Sequence, residues 1–377
     1  MRRSSVTRRR GKLFAILLAA LALVATACGD DDEPTAAEDG AGSADAIKAA
    51  WIYVGPVNDG GWTQAHDAGR KHVEDELGDA VITTYKENVP EGPEATQVIE
   101  DLIQDGNKII FATSFGYGDA LAELSAAHPD VYFEHATGAT SSENLATYFG
   151  AGEDTIYLTG LAAGAATKDG KIGFVAPFPI PEVIRHINAF TIGAREVNPE
   201  ATVQVQWTNT WFDPTKERQA AESLVQSGVD VLASGQDSPA TGEAAKAADL
   251  PFVGYDSDQS ANFPDIWLTA SLYDWGPYYL DRVEAAADGS WKTGQYYGGI
   301  GDGLVHLAPF GSLVSAETKA LIEQRLGELE AGTFYEFDGP LSDQAGTVRV
   351  PEGEKMSLAD ILSVDWFVQG VDGDPKG

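Results

Sequence analysis

The chain has 377 residues, with 25 Lys and Arg against 58 Asp and Glu, a formal net charge of −33, and 43% hydrophobic residues. At roughly 150 residues per domain this length implies two domains with enough apolar material for two cores, which excludes disorder throughout and a collagen-like fibre. Six cations (Arg2, Arg3, Arg8, Arg9, Arg10, Lys12) stand in the first 27 residues with no acid among them. The rest therefore carries 25 − 6 = 19 positive charges against 58 negative, a body that repels phosphate backbones and anionic lipid; nucleic acid is excluded as a partner and membrane contact is left to an anchor.

The cations precede an apolar run from Leu13 to Val24, too short to span a bilayer and sized for the core of an export signal. Ala25-Thr26-Ala27-Cys28 follows, small residues before the only cysteine of the chain. This arrangement resembles the cleavage site of bacterial lipoproteins, so residues 1–27 are expected to be a signal peptide and Cys28 the lipidated first residue of the mature protein. Its diacylglyceryl group would supply the two chains that stable anchoring requires. A single cysteine also excludes an internal disulfide. Residues 28–46 are small, acidic or Gly/Pro with no apolar period, which predicts a solvated tether.

The body opens with an apolar strand, Trp51–Val54, and a turn-rich loop, Gly55–Gly61. The pattern then predicts a helix over Trp62–Leu77, a strand over Val81–Tyr85, a helix over Glu94–Gln104 and an apolar strand over Lys108–Ala112. A helix over Asp119–Ala127 and a strand over Val131–Glu134 complete the series. Such alternation means parallel βαβ units and an open, doubly wound α/β sheet. The rhythm recurs: Trp51–Pro56 matches Ile172–Pro177, Gly69 matches Gly193, Val81–Tyr85 matches Val203–Trp207, and Val98–Gly106 matches Ala220–Gly228. An offset of about 121 to 124 residues throughout points to two similar lobes related by duplication.

In open α/β sheets ligands sit beyond the carboxyl ends of the strands. The candidates there are Asn58, Asp59 and Trp62 after the first strand, and Ser114, Phe115 and Tyr117 after the apolar one. In the second half they are Phe178, Trp211, Asp237, Asp256 and Asp258, joined by Trp275 at the end of a late segment, Trp267–Trp275. This set is aromatic and acidic. Ring faces with carboxylates suit a flat ligand carrying N–H donors or hydroxyls, whereas an anion would want Arg or helix N-termini. Arg185 would lie along a helix in a structural role, and Asp213, before Pro214, would cap the next helix.

The stretches Val54–Asp67, Thr113–Tyr117, Glu134–Gly138, Phe178–Val183, Trp211–Pro214, Gly254–Asp258 and Trp275–Tyr279 resemble the basic membrane protein family of ABC-transporter substrate-binding lipoproteins, in register from about Ile47 to Val371. The resemblance implies the type I periplasmic-binding-protein fold: two doubly wound parallel-sheet lobes with a ligand cleft between them, and purine nucleosides or nucleobases as ligands. It places Trp62, Phe115 and Phe178 on the faces of the base, and Asp237, Asp256 and Trp275 on its edge or a sugar. The first loop, Asn58-Asp-Gly-Gly-Trp62-Thr, departs from the Asp-Asp-Gly-Ser-Phe-Asn of the purine-nucleoside receptors and belongs to a different branch.

By the same analogy lobe 1 would comprise residues 47–138 plus 266–297 and lobe 2 residues 139–265 plus 298–371, with a tail at 372–377 and a hairpin in the stretch from Thr333. The expected protein is a monomeric, non-enzymatic receptor on the extracytoplasmic face, passing a purine base or nucleoside to a membrane permease, with no cofactor or metal. A sensor lipoprotein serving a membrane receptor is the alternative within the binding class. The sequence has no Gly-x-Ser-x-Gly elbow, His-Glu-x-x-His or Walker loop, and Gly299–Gly303 reads as a turn. His66 and His135 read as polar packing. Asp256 and Asp258 could mimic a glycosidase pair, although nothing beside them would set their two pKa values apart.

Overall fold

The structure is a computed structural model that describes residues 46–377; the expected signal peptide, Cys28 and nearly all of the expected tether lie outside the described residues. In the first half β1 (Ile47–Ile52), α1 (Trp62–Leu77), β2 (Val81–Lys86), α2 (Pro93–Gln104), β3 (Ile109–Ala112), α3 (Gly118–Ala127) and β4 (Tyr132–Ala136) alternate, and β5 (Leu145–Gly150) follows without a helix. The second half repeats the series with α4 (Gly152–Ala166), β6 (Lys171–Ala176), α5 (Pro181–Val197), β7 (Thr202–Trp207) and α6 (Pro214–Ser227), then β8 (Val231–Ser234), α7 (Ala240–Ala248), β9 (Phe252–Tyr255) and β10 (Trp267–Tyr273). The chain continues through α8 (Gly276–Asp288), β11 (Gln295–Gly298), β12 (Val305–Leu307), α9 (Ala316–Glu330), β13 (Leu341–Ser342), β14 (Val348–Val350), α10 (Leu358–Ile361) and β15 (Val371–Asp372).

The strands form two large sheets. One has the order β11-β5-β4-β3-β1-β2 with every pair parallel; the other runs β12-β10-β9-β8-β6-β7-β15, parallel except for β12. Shifted by five strands, the order 5-4-3-1-2 becomes 10-9-8-6-7, so the duplication seen in the sequence is also a duplication of topology. The central strands β3 and β8 are fully buried, β3 apolar throughout and β8 apolar up to Ser234, as sheets covered by helices on both faces require.

Strand membership departs from the expected lobe boundaries. Leu145–Gly150, expected in lobe 2, pairs with β4 in the first sheet, and Trp267–Tyr273, expected in lobe 1, pairs with β9 in the second. Each is the fifth strand of its sheet and arrives without the helical spacer that the βα rhythm demands, so the chain crosses between sheets later than expected. Val371–Asp372, at the edge of the expected tail, pairs with β7.

Helix α4 is buried on nearly all sides and packs on α5 at a distance only glycine allows. A Cβ on Gly160 would stand 2.2 Å from the Phe190 carbonyl oxygen, and one on Gly193 would stand 2.1 Å from that of Tyr157. This contact fixes α5, whose first turn reaches the cleft. Pro181 opens that turn with its φ already helical and no N–H to leave unpaired.

Candidate ligand-binding site

The carboxyl ends of seven parallel strands, β1, β3, β4, β6, β7, β8 and β9, converge on one space of about 520 Å³ of atom-free volume, including its opening to solvent. Its walls are rings and apolar side chains: Trp62 at the start of α1, Phe115 after β3, Phe174 of β6, Trp211 after β7 and Tyr255 at the end of β9, with Val54, Pro177 and Val183. Its polar lining is Ser114, Thr137, Glu182, His186 and Asp237.

Four expected residues, Trp62, Phe115, Trp211 and Asp237, meet in this space. The indole N–H of Trp62 donates to the Thr113 carbonyl at 2.7 Å, which sets the ring at the cavity wall. The Trp211 indole donates across the cleft to Glu91 Oε2 at 3.4 Å, and Glu91 Oε1 accepts from the Ser114 hydroxyl at 2.6 Å and the Gly116 N–H at 2.8 Å. Phe178 lies behind the lining, edge-on to Trp211 with centroids 5.0 Å apart.

The other expected residues have different duties. Asn58 is exposed. The Asp59 carboxylate accepts from the N–H groups of Gly61, Thr63 and Gln64 at 2.9, 2.8 and 3.0 Å, holding the entry to α1. Tyr117 is fully buried, its hydroxyl donating to the Val89 carbonyl at 2.7 Å. Trp275 lies in the first lobe's core, stacked on His66 at 4.5 Å and on Tyr273 at 4.9 Å. The reason is the late crossing: after β10 the chain turns into α8, which packs on α1 and draws Trp275 away from the opening. Asp256 is buried beside the space, at φ 56°, in the left-handed region. Asp258 is exposed and accepts from the Ser260 N–H, so the two acids do not face each other as a hydrolytic pair would.

His66 and His135 are packing residues: His66 Nδ1 lies 2.5 Å from the Tyr279 hydroxyl and His135 Nε2 lies 2.9 Å from the Ser114 carbonyl oxygen. Asp213 caps α6 as expected, accepting from Thr215 and Lys216 N–H at 3.1 Å. Sequence reasoning missed Thr137, Glu182, His186 and Tyr255. Thr137, Glu182 and Tyr255 stand within the stretches that carry the family resemblance. The signal for Glu182 and His186 was their i, i+4 spacing at the start of the helix after Pro181, a position that faces the cleft whenever the preceding strand ends there.

The electrostatics are those of crowded acids. Burial raises the Asp237 carboxyl well above the usual range, and Asp59, Asp256, Glu217 and Glu182 raise it further. Burial does the same to Asp256, helped by Glu182 and Asp59. Glu182 is pushed up to about 7 by burial, against the pull of Arg185. Asp237 Oδ2 and both oxygens of Asp256 have no hydrogen-bond partner among the described residues. A buried acceptor left in that condition costs on the order of 1–3 kcal/mol, which a ligand bearing donors would recover. Arg185 is spoken for: its Nε donates to Glu153 at 3.2 Å and its guanidinium lies 5.0 Å over the Phe149 ring, the structural role expected.

The two lobes touch at the mouth of this space. The Gln259 amide donates to the Gly60 carbonyl at 2.9 Å, the Ser257 hydroxyl donates to the same oxygen, and a Cβ on Gly61 would stand 2.8 Å from Asp237 Cα.

Comparison with known proteins agrees with this geometry. The sequence model of a family described as PnrA-like ABC transporter substrate-binding proteins matches residues 46–330. A purine-binding protein of Brucella abortus (strain 2308) is 40% identical over 326 residues, 86% of this chain and 93% of its own length. A protein of Haloferax volcanii, named for a proposed glucose-binding role in an ABC transporter, is 37% identical over 335 residues, covering 89% of this chain and 83% of its own. Among solved structures, an ABC-transporter solute-binding protein of Aeropyrum pernix K1 superposes with a TM-score of 0.69 at 18% identity, over 77% of this chain and 92% of its own, a likeness of fold. Two parallel-sheet lobes closing on an aromatic, acidic cavity, with a family match over most of the described chain, place it: the chain belongs to the Bmp family of PnrA-like ABC-transporter substrate-binding proteins.

Proposed function

We propose that the ligand is a purine base or nucleoside, held between the rings of Trp62, Phe115 and Trp211 with its N–H donors on Asp237. A protein of this family binds a small molecule and hands it to a membrane permease, without chemical change. The observation that carries the purine reading is the pairing of a ring-walled space with buried, unpartnered carboxylate oxygens. Flat faces gain from stacking, roughly 0.5–1.5 kcal/mol per ring beyond burial, and the acids reward N–H donors. The Brucella relative's purine binding supports the same assignment. Phosphate is disfavoured: among the described residues no Lys or Arg lines the space, and at about 4 Å and an effective dielectric near 20 any of its acids in the ionised form would repel it by about 4 kcal/mol before screening.

A sugar is the second reading, favoured by the Haloferax relative and by the suitability of carboxylates for hydroxyl donors. We further propose that the protein is a monomer, anchored through Cys28. Among the described residues no helix is long and apolar enough to cross a membrane. A thermal-shift panel of adenine, hypoxanthine, adenosine, inosine, AMP and glucose tests the ligand class, because a ligand that binds only the folded state raises the melting point with saturation. Purines should raise it and AMP should not. A response to glucose with none to any purine would reverse the assignment.

A further inference from the structure

The described chain passes between its two large sheets at three places, after β5, after β10 and after β11. The crossings are tied to one another: the Ala151 N–H donates to the Gly298 carbonyl at 2.7 Å, and the Asp274 N–H donates to the Leu304 carbonyl at 2.8 Å. Closing of the lobes turns about this joint. Helix α4 starts beside it, with Glu153 and Asp154 in its first turn. A Cβ on Gly299, in the third crossing, would stand 3.8 Å from Asp154 Oδ2.

Another acid reaches the joint from beyond residue 330, where the family match ends. Glu336 follows α9, between Phe334, whose ring lies 5.3 Å from that of Tyr157 on α4, and Phe337, buried in the second lobe's core. It is 2% exposed, and neither of its carboxylate oxygens meets a donor among the described residues. The group within hydrogen-bond reach is the Asp154 carboxyl. Ionised carboxylates only accept, so that bond requires a proton on one of the two. The charges around the pair supply no substitute. Glu153 of α4 takes both the Arg185 Nε of α5 and the Tyr297 hydroxyl of β11, and Asp302 accepts from the Gly299 N–H at 2.8 Å. Lys355 pairs with Asp338 at 3.9 Å and lies 5.9 Å over the Tyr335 ring. Burial pushes both carboxyls up, and Glu153 adds to the rise.

We propose that Asp154 and Glu336 share one proton at the joint between the lobes, and that this proton latches the C-terminal extension to the base of α4. Its loss leaves two facing charges with no cation between them, so the extension detaches at Glu336 and the joint loosens as pH rises. The sign follows from linkage: raised carboxyls hold the proton in the folded protein, so the stability they give is present at low pH and lost at high pH. The latch does not depend on which ligand the cleft takes.

Hydrogen exchange of the ligand-free protein from pH 5 to pH 9.5, read by mass spectrometry and corrected for the intrinsic rate, tests it in the wild type, Glu336→Gln and Asp154→Asn. In the wild type, local opening of residues 333–340 should grow about tenfold or more across this range, while residues 160–164 of α4 change far less. Glu336→Gln gives Asp154 a permanent N–H donor and should make the opening of 333–340 independent of pH; Asp154→Asn should do the same for Glu336. Wild-type opening that does not change with pH, that rises equally at 160–164, or that keeps its rise in both variants would overturn the latch. Should Glu336→Gln not fold, Asp154→Asn decides alone.

Discussion

At the residue scale, the acids of the cleft are held in a state that serves binding at the expense of stability. Glu182 has its ordinary value near 4.5 when unfolded and about 7 when folded, so between those values the native state binds the extra proton. Stability contributed by this group is therefore present at low pH and lost as pH rises toward 7; Asp237 and Asp256, raised in the same direction, extend the loss. Asp237→Asn should thus raise the melting temperature of the ligand-free protein at pH 8 more than at pH 5, while weakening purine binding. A melting temperature lowered at both pH values would show that Asp237 is a structural partner instead. Trp211→Ala, at a half-buried position, should weaken purine binding about 3- to 10-fold with little change in stability, as measured by titration. Trp62 is a poorer probe, since it is buried among Phe149, Tyr273 and Trp275 and its removal would also open a core cavity costing about 3–5 kcal/mol. The sequence made Trp62, Phe115, Trp211 and Asp237 legible because each lies between the carboxyl end of a readable strand and the first turn of the helix that follows it. Trp275 was misplaced because which sheet a strand joins is decided by long-range pairing that no local pattern encodes.

At the element scale, the first-half helices were readable almost to the residue: the expected spans Trp62–Leu77, Glu94–Gln104 and Asp119–Ala127 stand beside observed spans that differ by at most one residue at an end. Their amphipathic period and flanking turn residues carry that information locally. The fifth strand of each sheet was not placed, since a strand reached through a helix-free loop carries no helical spacer. The α4–α5 contact is the element on which the site's second-lobe wall depends. Gly160→Ala would drive a methyl into the Phe190 carbonyl, and about 1–3 kcal/mol of destabilisation is expected from chemical denaturation. Full stability in that variant would mean that the helices can separate without loss.

At the scale of the whole molecule, the lobes meet through Gly60, Gly61, Ser257, Gln259 and the Trp211–Glu91 bond, so closure buries the ligand on both faces. Gly61→Ala would place a methyl against the Asp237 backbone at the mouth. It should weaken binding tenfold or more, about 1.4 kcal/mol, and small-angle scattering should show ligand-induced compaction in the wild type that the variant lacks. Normal affinity in the variant would remove the contact from the closing mechanism. Cys28→Ser should release the protein from membranes to the soluble fraction; retention after signal removal would refute the anchor. The central claim is that the ring-walled, acidic space takes a purine. Isothermal calorimetry at pH 7 with inosine, hypoxanthine, AMP and glucose addresses it most directly: saturable purine binding, with AMP at least a hundredfold weaker, is the predicted result, and tight AMP binding, or glucose binding without a purine response, would contradict it.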